Sequence, residues 1–138
     1  MFKKIMTPVD LAHVGRMEHS LACGADLARL WDIPVTYVGV IAQTPGSVAH
    51  TPEEYRQKLA RFAAAQGEAR GIRTGGHAVI AHDPAVDLDT ALLKAVDEVG
   101  ADLVVMASHI PGLVDYVWPS NGGKVAAHAA ASVLVVRG

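Results

Sequence analysis

Three stretches of this chain gather residue types that could hold a polar ligand. The first is Thr7-Pro8-Val9-Asp10, where a carboxylate follows a short apolar run. That carboxylate either accepts hydrogen bonds from a ribose hydroxyl or an adenine amine, or caps the turn in which it stands. The second is His82-Asp83-Pro84-Ala85, which reads as a helix start with Asp83 as the cap. His82 is then either an exposed loop histidine or the neighbour of a ligand. The third begins at Met106-Ala107-Ser108-His109-Ile110-Pro111-Gly112 and resumes at Tyr116-Val117-Trp118-Pro119-Ser120-Asn121-Gly122-Gly123-Lys124. Here hydroxyl, amide and glycine residues collect just before an Ala-rich helical pattern. Free backbone N–H groups at a helix start attract anions, so a phosphate is the natural guest. Gly122 and Gly123 have no helical merit, and in a first turn they suit close approach of a phosphate or of another backbone.

Several other chemistries lack their motifs. There is no Gly-x-x-x-x-Gly-Lys-Ser/Thr loop, no Gly-x-Gly-x-x-Gly after the first apolar run and no Gly-x-Ser-x-Gly elbow. The 7 histidines include no His-x-x-x-His pair, and Cys23 is the single cysteine. Cys23 sits in an Ala-rich helical run and reads as a small buried hydrophobe.

Elements that could position the three stretches follow from periodicity. Ile5 to Val9 suits a buried first strand, followed by a loop through Gly15 and a helix over residues 16 to 31 ended by Asp32 and Pro34. Val35 to Ala42 is β-branched-rich and reads as the second strand. A loop over 43 to 51 leads to Thr51-Pro52-Glu53-Glu54, a capped helix start, and Gly71 stops that helix after about Arg70. Ile72 to Ala81 reads as a third strand weakened by Gly75-Gly76, and a helix from Asp83-Pro84 runs to Gly100. Leu103 to Ala107 is a fourth strand, Ser120 or Asn121 opens a last helix, and Ser132 to Val136 is a fifth strand. Alternation of this kind predicts a parallel α/β sheet with helices on both faces, whose ligands bind beyond the carboxyl ends of the strands where strand order reverses.

The 138 residues suit one domain, 1–138, with 51% hydrophobic and 19% charged residues as in globular proteins. A formal net charge of −2 argues against a nucleic-acid binder. Met1-Phe2-Lys3-Lys4 starts like a signal peptide, but Pro8 and Asp10 interrupt the apolar run. With no membrane span in prospect and a lone cysteine, a cytoplasmic location is expected.

Pro8-Val9-Asp10, His82-Asp83-Pro84-Ala85, Asp102-Leu103-Val104-Val105-Met106-Ala107-Ser108-His109 and Ser132-Val133-Leu134-Val135-Val136-Arg137 stand in the order and spacing of the universal stress protein family, which the chain resembles over its whole length. The resemblance implies a three-layer α/β/α domain of the adenine nucleotide alpha hydrolase-like type, doubly wound with strand order 3-2-1-4-5. Many members bind ATP through Gly-x2-Gly-x9-Gly-Ser/Thr. At those positions this chain has Ala107, Ile110, Pro119 and Ser120, with the loop one residue short, and it looks like a variant subgroup with Ala-Ser-His-x-Pro and Pro-Ser-Asn. The resemblance implies that Pro8, Val9 and Asp10 border adenine and ribose, that Val40 packs on the adenine face, and that Met106 and Ala107 line the base and ribose side. Ser108 and His109 would approach ribose or phosphates, while Ser120, Asn121 and Gly122 would cradle phosphate. Mg2+ would accompany the triphosphate.

The expected function is then a regulatory protein of the stress response that binds ATP or another adenine nucleotide and is non-catalytic or at most slowly hydrolytic, with Asp10 or His109 as the only candidate bases. The alternative is a nucleotide-free dimeric interaction module, with a membrane transporter as one partner type. Either form is expected to be a homodimer through Val133 to Val136, because an apolar edge strand invites a second copy.

Overall fold

Five short apolar runs form strands: β1 (Ile5–Pro8), β2 (Val35–Ile41), β3 (Thr74–Ile80), β4 (Leu103–Ala107) and β5 (Ser132–Val136). The computed structural model describes residues 1–83, 87–108 and 130–137. All strand pairs are parallel, and the sheet order is β3-β2-β1-β4-β5. The helices are α1 (Glu18–Trp31), α2 (Pro52–Arg70) and α3 (Leu88–Val99). The last helix expected from Ser120 or Asn121 lies outside the described residues.

Alternation along the strands separates two cores. Ile5, Val35, Tyr37, Leu103 and Val105 join Leu21 and Ala28 of α1 and Leu59 and Ala63 of α2 on one face. Met6, Val38, Val79, Val104 and Met106 join Leu88, Leu92, Ala95 and Val96 of α3 on the other. A strand buried on both faces has no solvent side, which is why β4 reads as a continuous apolar run and β1 as one interrupted by the buried Thr7. Asp102 fixes the approach to both, its carboxylate accepting from the backbone N–H groups of Lys3 (2.9 Å) and Lys4 (3.0 Å).

The caps largely follow the sequence. Thr51 Oγ1 accepts from the Glu54 N–H at 3.1 Å, and the Glu54 carboxylate reaches back to the N–H of His50 at 3.1 Å. That backbone bond, with Lys58 adding to it, holds the Glu54 carboxyl below its ordinary range. Gly71 ends α2 at φ +66°, where a residue without a side chain is at ease.

One expectation is corrected. The segment after β1 is not an open loop through Gly15 but a 3₁₀ segment, Leu11–Met17, because Asp10 gathers the next turn onto its own side chain and carbonyl. α3 is described from Leu88, and Pro84, Ala85 and Val86 of the start expected at Asp83-Pro84 lie outside the described residues. The Asp87 N–H donates to the Asp83 carbonyl at 2.7 Å, and the Asp83 N–H donates to the Asp87 carboxylate at 3.1 Å.

Tyr37 is 1% exposed and meets Phe62 edge-on at 5.2 Å, and its hydroxyl has no hydrogen-bond partner among the described residues. Burial pushes its pKa up to about 12, against a smaller opposing pull from Arg70. The neutral phenol is thus favoured in the fold. Its contribution is complete below the unfolded value of about 10 and is lost as pH rises through the folded value. Tyr37→Phe removes both the unpaired hydroxyl and this alkaline loss. In urea melts it should match or exceed the parent at pH 7 and pull further ahead above about pH 10. A clear loss of stability at pH 7 would contradict this.

Candidate functional site

The strand order reverses between β1 and β4, and there the ladder opens. These strands pair only at Ile5↔Leu103 and Met6↔Val104. Beyond that point β1 stays with β2, through Thr7↔Tyr37, Pro8↔Val38 and a 2.8 Å bond from the Val9 N–H to the Val38 carbonyl. β4 stays with β5 through Ala107↔Val136, and the Ser108 N–H continues the ladder to the Val136 carbonyl at 2.8 Å. Crossovers on the two sides of a reversal leave in opposite directions, which is why a ligand crevice opens at the carboxyl edge of such sheets.

A cleft of about 340 Å³ opens above the carboxyl ends of β1 and β2. Pro8, Val9, Asp10 and His13 form one wall, Val38 and Val40 belong to β2, and Leu88 and Leu92 come from α3. The rim is the β2–α2 loop, including Thr44, Ser47 and Val48, and Tyr55 of α2 closes the side below it. The volume and the mixture of apolar walls with a few polar groups suit a small molecule the size of a nucleobase with its sugar.

Asp10 is committed to its own turn. One carboxylate oxygen accepts from the Ala12 N–H at 2.9 Å, and the other lies 3.0 Å from His13 Nδ1. Its backbone N–H points at Met17 Sδ, 3.3 Å away. The carboxylate therefore caps and also orients a ring that borders the cleft.

Tyr55 is placed by a missing side chain. A Cβ on Gly39 would stand 2.0 Å from the Tyr55 hydroxyl oxygen and 2.7 Å from its ring, so only glycine lets α2 settle against β2 here. A Cβ on Gly76 of β3 would likewise stand 3.0 Å from Leu59. Burial, reinforced by the negative charge of Asp10, raises the Tyr55 pKa well above the ordinary phenol range, so the hydroxyl stays protonated. The rim loop is tied to α2, since Lys58 Nζ donates to the Val48 carbonyl, and the Gly46 N–H donates to the Ala49 carbonyl at 2.9 Å.

Of the residues singled out from the sequence, Pro8, Val9, Asp10 and Val40 stand together around this cleft. Met106 is fully buried against α3, and Ala107 is nearly so on the opposite face, so neither borders it. Ser108 is half-buried on the β4 side of the split, and His82 is exposed. His109, Ser120, Asn121 and Gly122 lie outside the described residues, as do Ile110 and Pro119. Sequence reasoning passed over His13, Tyr55 and the rim. The Asp10-x-x-His13 spacing and a glycine inside the otherwise β-branched β2 were the available signals. Among the described residues no group of three His, Cys, Asp or Glu side chains could hold a metal ion. A second cavity of about 300 Å³ lies at the opposite end of the domain between Ala28, Asp32, Gly67 and Arg73. There Arg73 already donates to the Asp32 carbonyl at 2.7 Å and Arg29 to the Arg70 carbonyl at 2.6 Å.

The family model described as the universal stress protein family matches residues 1–137. Solved structures with the same fold include a universal stress protein family member from Burkholderia pseudomallei, with 20% identity, TM-score 0.67, and 97% of this chain and 95% of that one covered. Another is the universal stress protein from Archaeoglobus fulgidus in complex with dAMP, at 22% identity and TM-score 0.64 over 96% of each chain. A third is a universal stress protein family protein from Arabidopsis thaliana with AMP bound, at 15% identity and TM-score 0.61, covering 98% of this chain and 90% of that one.

Gly39→Ala should destabilise the domain by about 1–3 kcal/mol, the usual cost of overpacking. Adding Tyr55→Phe, which removes the nearest clashing atom, should recover part of that loss in a urea double-mutant cycle. Strictly additive effects would show that the two residues do not meet.

Proposed function

The chain belongs to the universal stress protein family, and we propose that it serves there as a regulatory protein that binds ATP or another adenine nucleotide in the cleft above β1 and β2. The observation that carries this reading is the cleft's position beside the split between β1 and β4, with Pro8, Val9, Asp10 and Val40 around it. Similar structures that hold dAMP or AMP support an adenine nucleotide as the guest. In this reading the base lies against the apolar wall that includes Val40, and the sugar lies towards Asp10 and His13. The phosphates extend across the split towards Ser108 and the stretch that holds His109, Ser120, Asn121 and Gly122. A Mg2+ ion, where present, arrives on the triphosphate.

The output is a change in assembly read by a protein partner, with a membrane transporter as one type, and the protein works in the cytoplasm. No helix among the described residues is long and apolar enough to cross a membrane. A homodimer through Val133 to Val136 fits the exposure of β5, which lies at the edge of the sheet with Leu134 38% exposed.

Two outcomes follow. Calorimetry with ATP and magnesium should detect binding at millimolar nucleotide or below, and Val40→Glu should abolish it by placing a charge against the base. No binding by the folded parent would end the nucleotide reading. Sedimentation should show a dimer at micromolar concentration and a monomer for Leu134→Lys. A parent that sediments as a monomer would end the dimer proposal.

A further inference from the structure

Gly39 stands inside β2, where a β-branched residue would serve the strand better. The atom that most requires glycine there is an oxygen. A Cβ on residue 39 would lie 2.0 Å from the Tyr55 hydroxyl oxygen, closer than to any carbon of that ring. Packing alone does not account for the oxygen. Tyr55 is 5% exposed, and its hydroxyl has no hydrogen-bond partner among the described residues. The hydroxyls sealed in the core without a partner are those of Thr7 and Tyr37, whereas Tyr55 lines the cleft. An unmet hydroxyl in a wall costs stability unless something that enters the cleft bonds to it.

The ring is held in place before any ligand arrives. Tyr55 lies in the first turn of α2, where its N–H donates to the carbonyl of Thr51 at 3.1 Å and Thr51 caps the helix. Leu59, one turn further on, is 1% exposed and packs against Gly76 of β3. Val40, the residue after Gly39, packs towards α3 on the opposite face of the sheet. Tyr55 and Val40 therefore border the cleft from the two faces of β2, and a flat base lodged at the β2 end meets both.

We propose that the Tyr55 hydroxyl is a specificity-determining group of this cleft, donating its hydrogen to a ring nitrogen of the base. This rests on the nucleotide reading above and adds a side chain that selects among bases. A phenol donates more readily than it accepts, because its oxygen lone pair is shared with the ring. Burial and the negative charge of Asp10 keep the hydroxyl protonated, so the hydrogen is always present. Purine ring nitrogens are acceptors at the edge of the base, and an apolar C–H at the same place leaves the phenol unmet.

ATP with magnesium is the probe, read by calorimetry beside its 1-deaza, 3-deaza and 7-deaza analogues, each of which replaces one ring nitrogen by C–H. Tyr55→Phe should weaken ATP about three- to tenfold, the range of one lost hydrogen bond. One analogue should bind the parent more weakly than ATP by a similar factor, and Tyr55→Phe should weaken that analogue no further. The other two should lose as much as ATP does on the substitution. In urea melts Tyr55→Phe should be no less stable than the parent, since no bond within the protein is lost. A clear loss of stability would show an internal partner for the hydroxyl and overturn the proposal. If Tyr55→Phe binds ATP as well as the parent does, or weakens all three analogues as much as ATP, the role of Tyr55 is overturned while nucleotide binding stands. A parent that binds all three analogues as tightly as ATP overturns it as well. If ATP does not bind the folded parent at millimolar concentration, both readings fall together.

Discussion

The structure turns on a pairing that stops early. β1 and β4 share two residue pairs and then part, each continuing with its other neighbour. Beyond Met6 and Val104 the Val9 N–H turns to the Val38 carbonyl and the Ser108 N–H to the Val136 carbonyl, each on the side away from the split. Pro8 suits this position because it has no N–H to offer the ladder. The gap follows from strand order, and the loops after β1 and β2 border the cleft beside it.

Around that gap the packing is organised by absent side chains as much as by present ones. Gly39 and Gly76 let α2 lie close to β2 and β3, which brings the Tyr55 ring to the cleft wall and seats Leu59 in the core beneath it. On the other face α3 presents Leu88 and Leu92, which serve the core and the cleft at once. A ligand in the cleft would therefore touch residues whose other sides are locked in the sheet, and a site built this way is held in shape before anything binds.

Much of the fold was legible in the sequence because its elements carry period and punctuation. The strands are short apolar runs, Thr51-Pro52 and Gly71 mark the ends of α2, and the alternation of strand and helix leaves few topologies. What was not legible is equally physical. Asp10 reads as a turn residue or as a ligand contact from its type alone. Only coordinates show both oxygens engaged, one of them by a histidine three residues on. Met106 sits in an apolar run next to candidate ligand residues, and its burial against α3 depends on the partner face, which no local spacing reveals.

The central claim is that an adenine nucleotide seats above β1 and β2. A photoreactive adenine analogue such as 8-azido-ATP, followed by peptide mass spectrometry, reports the position of the base directly. The account predicts labelling within residues 8–13 or 38–49, removed by excess ATP. Competed labelling confined to the cavity at the opposite end, around Asp32 and Arg73, would contradict it.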